Sequence, residues 1–213
     1  MIVVFSNVKG GVGKTTLCAM FATWLAEHGY PVVAVDADLQ ASLTRHRQRE
    51  AAAEPELKAP WDVLSAEGDI VKKLQKVKGI VLVDCPGTLN DQKLLDIYKA
   101  ADVAVIPLSY DADTVDATGV FIKVLKKVSD AKLVFVPNRI NSAEKKAEEL
   151  RQREQTHGIL ELIGTVTPRI KQSVAVKRYS TLYGLASDQE QAVEEAFKAI
   201  DKIINFNSRN KGR

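Results

Sequence analysis

Short uninterrupted apolar runs alternate along the chain with segments whose apolar positions recur three and four residues apart. The runs are Ile2–Phe5, Val32–Val35, Ile80–Val83, Val103–Ile106 and Leu133–Val136, with a weaker one near Leu162–Val166. A strand covered on both faces needs such a run, so the pattern predicts a parallel sheet between layers of helices. Between the first two runs, Leu17, Met20, Phe21, Trp24 and Leu25 share one helical face, which places Trp24 in the core. Gly29-Tyr30-Pro31 ends that helix. Further helices are expected over Ala41–Glu50 and over about Asp188 to Phe206, the latter with Val193, Phe197, Ile200 and Ile204 on one side. The Ala- and Glu-rich stretch Ala51 to Pro60 reads as a surface excursion. The predicted fold class is α/β, a doubly wound, mostly parallel sheet with helices on both faces. It forms a single domain over 1–207, followed by a basic, disordered tail over 208–213.

Between the first strand and first helix stands Lys9-Gly10-Gly11-Val12-Gly13-Lys14-Thr15-Thr16. Three glycines in four positions let successive backbone N–H groups converge on an anion, and the helix N-terminus adds partial positive charge. Lys14 is then placed to reach β- and γ-phosphates, and the Thr15 hydroxyl to ligate magnesium. The common phosphate-loop pattern would require glycine at Val8, and this chain carries instead an additional lysine, Lys9.

Two acidic sites complement the loop. The apolar strand Ile80–Val83 ends in Asp84, as a magnesium-holding strand does, and Cys85-Pro86-Gly87 completes D-x-x-G, whose glycine N–H meets the γ-phosphate in related switches. The second strand runs into Asp36-Ala37-Asp38-Leu39-Gln40. Paired carboxylates beside phosphate repel it unless a cation or water-bound proton lies between, so this spacing suggests magnesium and water. The bland alternative is Asp38 as N-cap of the helix over Ala41–Glu50. The guanine-reading sequence N-K-x-D is missing. The strand from Leu133 leads instead to Asn138-Arg139-Ile140-Asn141, whose amides replace a doubly accepting carboxylate poorly, so ATP is the expected nucleotide.

K-G-G-x-G-K-T-T resembles the deviant Walker A motif of the ParA/MinD family of ATPases, which are P-loop NTPases. The resemblance implies that Lys9 crosses a homodimer interface to the phosphates of the partner's ATP. It implies that Asp38 orients the attacking water while Asp36 positions the loop and the metal shell. The family pattern D-x-D-x-Q usually has proline before the glutamine, and Leu39 departs from it. Asn138, with Arg139 beside it, and Pro168-Arg169 are implied around adenine, although Asn138 after Pro137 also suits a plain turn. The chain is most similar to short partition ATPases that lack an N-terminal DNA-binding domain. No arginine finger is identifiable, so slow hydrolysis stimulated by a ParB-like or other partner is implied.

Charge bears on what the surface holds. The net charge of +3 equals the contribution of Arg209, Lys211 and Arg213 in the tail, so the body is balanced. Its basic residues are nonetheless clustered, with Arg45, Arg47 and Arg49 on one predicted helix and Arg169, Lys171, Lys177 and Arg178 within ten residues free of acid. Such clusters either neutralise DNA phosphates without reading sequence or form an ordinary solvated surface. The resemblance favours non-specific DNA, and the candidate contacts are Arg45, Arg49, Lys171, Lys177 and Arg178. A MinD-like alternative, positioning a membrane or protein cargo, would use a C-terminal amphipathic helix. Here that helix alternates Glu190, Glu194, Glu195 and Asp201 with Lys198 and Lys202, which favours core packing. Cys18 and Cys85 have neither metal-site nor disulfide spacing, which disfavours a cluster-bearing reductase and makes both core residues. No motif for the small-substrate pocket of a dethiobiotin-synthetase-like ligase is evident. With no secretory segment or membrane span expected, the protein is placed in the cytoplasm, and the resemblance implies association with the nucleoid.

Overall fold

The computed structural model describes residues 1–89, 91–141 and 147–211, with side chains through 205. The elements run β1 (Ile2–Phe5), α1 (Lys14–Glu27), β2 (Val32–Asp36), α2 (Ser42–Ala53), β3 (Asp62–Ser65), α3 (Ile70–Lys76), β4 (Ile80–Asp84), α4 (Gln92–Ala100), β5 (Val103–Leu108), α5 (Ala112–Val128), β6 (Lys132–Pro137), α6 (Ala147–Glu161), β7 (Thr165–Val166), α7 (Val174–Lys177) and α8 (Ser187–Lys211). The strands form one sheet in the order β3-β2-β4-β1-β5-β6-β7, and every pairing is parallel. Reversal of strand order on either side of β1 makes it a doubly wound sheet with a crevice at the carboxyl ends of its central strands.

Alternation along β1 divides the core. Val3 and Phe5 pack with α1 and α8 on one face, while Ile2 and Val4 pack on the other with Leu94, Ile97 and Tyr98 of α4 and Phe121 of α5. In α8, Val193, Phe197 and Ile200 are fully buried, and the Phe197 ring meets Phe21 edge-on at 5.0 Å. Burying a Phe or Ile side chain contributes about 1.5–3 kcal/mol each, so this face is committed to the core. Trp24 lies there too, stacked between Phe21 and His28. Among the described residues no helix is long and apolar enough to cross a membrane. The backbone of α8 runs to Lys211, beyond the expected end at Phe206. Of the predicted tail over 208–213, residues 212 and 213 lie outside the described residues, as do the side chains of all six.

The sequence pattern did not predict β3. It is a short edge strand of Asp-Val-Leu-Ser whose residues are mostly exposed, so no continuous apolar run announces it. It is anchored just upstream, where buried Trp61 donates its Nε1–H to Thr23 Oγ1 at 3.0 Å.

Candidate nucleotide site

Strand register brings the predicted acids to the glycine loop. Asp36 pairs with Asp84 across β2 and β4, and Asp84 pairs with Phe5 across β4 and β1. The two carboxylates and the loop that follows Phe5 therefore leave the sheet side by side. Backbone bonds continue the register one residue further, from Ala37 N to Asp84 O at 2.9 Å and from Cys85 N to Phe5 O at 3.0 Å.

Between Val8 and Lys14 the chain takes a left-handed backbone at Gly11 (φ 75°) and Gly13 (φ 98°). Gly13 is the N-cap of α1, no side chain bonds that cap, and no acid stands in the first turn. The helix thus begins with N–H groups oriented for an anion. Lys14 arches back, donating from Nζ to Lys9 O at 3.2 Å. Burial lowers the Lys14 pKa, and the nearby charges of Asp84 and Asp38 oppose the drop. Two asparagines brace the loop. Asn7, fully buried, donates to Pro107 O and Thr118 Oγ1 at 2.9 Å each and accepts from Lys9 N. Asn138 donates from Nδ2 to Val12 O at 2.8 Å, and a Cβ on Gly13 would clash with that nitrogen. Sequence reasoning missed Asn7, because nothing in local spacing marks a brace whose partners lie a hundred residues away.

Asp84 is the electrostatic centre. Both carboxylate oxygens are buried without a hydrogen-bond partner. Desolvation pushes its pKa up to about 7; the Thr15 hydroxyl opposes this, Asp36 adds to it, Lys14 opposes it and Asp38 adds to it. An orphaned buried carboxylate beside a threonine hydroxyl and two further acids offers hard oxygen donors, which suit magnesium. Among the described residues no three His, Cys, Asp or Glu side chains could cage a metal alone, so phosphate and water would complete the shell. Gly87 sits close by, where a Cβ would come within 3.2 Å of Val8 O.

The acids of the second site divide their work differently from the N-cap alternative. Asp36, buried, accepts from Thr44 N at 2.8 Å and from Asp38 N at 3.2 Å, so it holds both the loop and the first turn of α2. Asp38 accepts only locally from Gln40 N at 2.9 Å. Ala41 is the N-cap of α2, with no side-chain cap bond, so the capping reading of Asp38 is not realised. The reason is register: the end of β2 already delivers Asp36 to the helix.

Past the phosphate loop lies a cleft of about 190 Å³, lined by Gly13, Thr16, Asn138, Arg139, Val176 and Lys177 among others. Its place beside Thr16 and Asn138 suits a nucleotide base. Arg139, itself left-handed (φ 59°), donates to Gly11 O and separates this cleft from a polar hollow of about 530 Å³ that includes Lys9, Tyr110, Arg153 and Gln172. Pro168 and Arg169 are exposed and not in the smaller cleft; Arg169 lies close enough to Tyr110 to influence its hydroxyl. Lys9 bonds Asp113 of α5 at 3.4 Å across a solvent-exposed gap, a contact worth little energetically. Arg45, Arg49, Lys171, Lys177 and Arg178 are exposed. Lys171 and Lys177 line the base-side cleft, which the sequence clusters did not reveal.

A sequence profile of the CobQ/CobB/MinD/ParA nucleotide binding domain matches residues 3–182. An uncharacterized ATP-binding protein of Methanocaldococcus jannaschii is 35% identical over 107 residues, covering 50% of this chain and 38% of that protein. Protein ParA of Rhizobium radiobacter is 36% identical over 121 residues, covering 55% of this chain and 51% of that one. The chain thus spans about half or less of the length of these relatives. In overall fold it is similar to a putative plasmid partition protein from Borrelia burgdorferi B31 bound to AMPPNP, with a TM-score of 0.74, 17% identity, and coverage of 97% of this chain and 98% of that one. With a matching profile over most of its length and the glycine-rich loop in place, the chain belongs to the CobQ/CobB/MinD/ParA nucleotide-binding family, as a ParA/MinD-type member.

Proposed function

We propose that this chain binds Mg-ATP, dimerises around it and hydrolyses it slowly to drive partition of DNA. The observation that carries the reading is Asp84, a buried carboxylate with both oxygens unpartnered, next to Lys14 and Thr15 at the mouth of a glycine-rich anion cradle. The bound magnesium would neutralise phosphate charge between Thr15 and Asp84. Lys14 and the N–H groups of Gly10 to Thr16 hold the phosphates, and Gly87 senses the terminal one. Asp38, bonded only to its own turn, is available to orient water, with Asp36 fixing its loop. Asn138 and Arg139 border the base. Lys9 leaves Asp113 and reaches the partner's phosphates in the dimer.

Assembly gives the DNA reading its physical basis. Dimerisation doubles each exposed basic cluster on one particle, so the second phosphate contact becomes intramolecular. The proposed contacts are Arg178 with Lys171 and Lys177, which would also answer to nucleotide, and Arg45 with Arg49. A ParB-like or other activator would complete the site, and the nucleoid is the proposed location.

The test is fluorescence anisotropy on two unrelated duplexes across a salt series, with and without Mg-ATP, using protein locked in the ATP form by Asp38→Ala. Binding should require Mg-ATP, ignore sequence and fall steeply with salt. Nucleotide-independent DNA binding, or none alongside firm attachment to anionic vesicles, would replace partition with the membrane-positioning alternative.

A further inference from the structure

One face of α2 makes a set of contacts that the phosphate chemistry does not use. Arg47 donates from Nε to Thr181 Oγ1 at 2.8 Å, from Nη2 to Thr181 O at 2.9 Å and from Nη1 to Trp61 O at 2.8 Å, and its guanidinium lies 4.4 Å over the Trp61 ring. One turn on, Glu50 Oε2 accepts from both the backbone N–H and the hydroxyl of Thr181. His46, on the same side, stacks on Tyr179 with ring centroids 4.6 Å apart. Thr181 is fully buried, so every polar group it carries into the interior is matched from α2.

What the clamp holds is the segment that leaves α7. Val176 of α7 is buried, and Val176 and Lys177 line the base-side cleft opposite Thr16 and Asn138. From behind, buried Gln189 of α8 donates to Ala175 O and Arg178 O at 3.0 Å each. Three residues further along the chain the clamp closes on Thr181. The wall of the cleft is therefore a single helical turn fixed by Gln189 on one side and by Arg47 and Glu50 on the other. The N-terminus of α2 is pinned independently by Asp36 at Thr44 N and by fully buried Leu43.

We propose that Arg47 and Glu50 are positioning residues for the base-side wall: by fixing Thr181 they set where Val176 and Lys177 stand, and so tune affinity for the nucleotide base without touching it. The inference rests on the reading of that cleft as the base site. Because α2 is held separately near the phosphates, cutting the clamp loosens the wall and leaves the anion cradle in place. Two charged groups sharing one buried threonine also explain why a helix with no large apolar face is retained there, since only Leu43 of α2 is buried.

Isothermal titration calorimetry of the full chain separates base from phosphate when Mg-ATP is compared with magnesium tripolyphosphate, which carries neither ribose nor base. Thr181→Val, nearly the same shape, and Arg47→Met, which keeps an unbranched stem over Trp61, should each weaken Mg-ATP about tenfold and leave tripolyphosphate unchanged. Glu50→Gln, which keeps an acceptor oxygen for Thr181, should stay near wild type, whereas Glu50→Ala should follow Thr181→Val. Should Arg47→Met fail to fold, Thr181→Val and the Glu50 pair decide the matter. Equal losses for both ligands, or unchanged Mg-ATP affinity in folded clamp variants, would overturn the inference while leaving the base site intact. A wild-type protein that binds tripolyphosphate as tightly as Mg-ATP would instead remove the base-site reading, and the inference with it.

Discussion

Replacing Asp84 with asparagine should change how the nucleotide-free protein responds to pH. Burial pushes the Asp84 carboxyl from its ordinary 3.8 up to about 7. Between those values the folded chain keeps a proton that the unfolded chain has released, so folding stability falls as pH rises through this window and levels off above it. At 1.36 kcal/mol per pKa unit the group costs at most about 4 kcal/mol at pH 8 relative to pH 4. For a chain of this size that corresponds to roughly 8–16 °C in Tm. Scanning calorimetry of wild type and Asp84→Asn in EDTA at pH 4 and pH 8 measures it. Other titrating groups cancel in the double difference, and so does any fixed cost of burying the amide. The wild type should lose more stability than the variant between the two pH values. Parallel pH dependence in the two proteins would refute the assignment of Asp84 as the buried, unpartnered charge. Mg-ATP should then stabilise wild type more at pH 8 than at pH 5, because the metal-binding form is the carboxylate.

Asp38→Ala should keep Mg-ATP affinity and lose turnover, whereas Lys14→Ala should lose both; equal loss of affinity in the two, by calorimetry, would count against a water-orienting Asp38. Gly13→Ala forces an unfavourable φ at 98° and a clash with Asn138, so nucleotide affinity should fall at least about tenfold, with strain of ~1–3 kcal/mol. Lys9→Ala should bind Mg-ATP with modestly reduced affinity and remain monomeric by light scattering, and a wild-type-like ATP dimer would remove its cross-interface role. Arg178→Ala, whose side chain is exposed and not in the base-side cleft, should flatten the salt dependence of DNA binding with Mg-ATP affinity unchanged.

Much of the architecture is readable from hydrophobic runs because a parallel sheet buried on both faces leaves so little choice. Ile2–Phe5 is the same in pattern and structure, and Val32–Val35 and Ile80–Val83 lengthen only by their terminal aspartates, which are buried as well. Where a strand lacks a second cover, the signal fails. Edge strand β3 exposes Leu64, and β7 retains only Thr165 and Val166 of the run near Leu162–Val166, with Leu162 itself 85% exposed. Pairing to a neighbour, at Asp36 with Ser65 and at Phe135 with Val166, makes these strands, and pairing is not written in local hydropathy.

The site divides along the same line. Residues whose task is set by local backbone geometry, Gly11 and Gly13 above all, are evident from spacing, since a left-handed turn before a helix calls for glycine there. Long-range tasks are not evident. The contact between Asn138 and Val12 spans 126 residues and that between Arg47 and Thr181 spans 134. Yet part of the second was accessible. Residues two apart on a helix face away from each other while those four apart share a face, so Arg45 and Arg49 belong together and Arg47 must turn elsewhere. Counting all three as one cluster overlooked that period, although the candidate DNA contacts kept only Arg45 and Arg49. The structure resolves the triplet as helical geometry requires, with two exposed cations on one side and, on the other, a half-buried guanidinium held against Trp61 and Thr181. Charge in a sequence therefore becomes evidence for a nucleic-acid surface only after the helical phase has assigned each residue to a face.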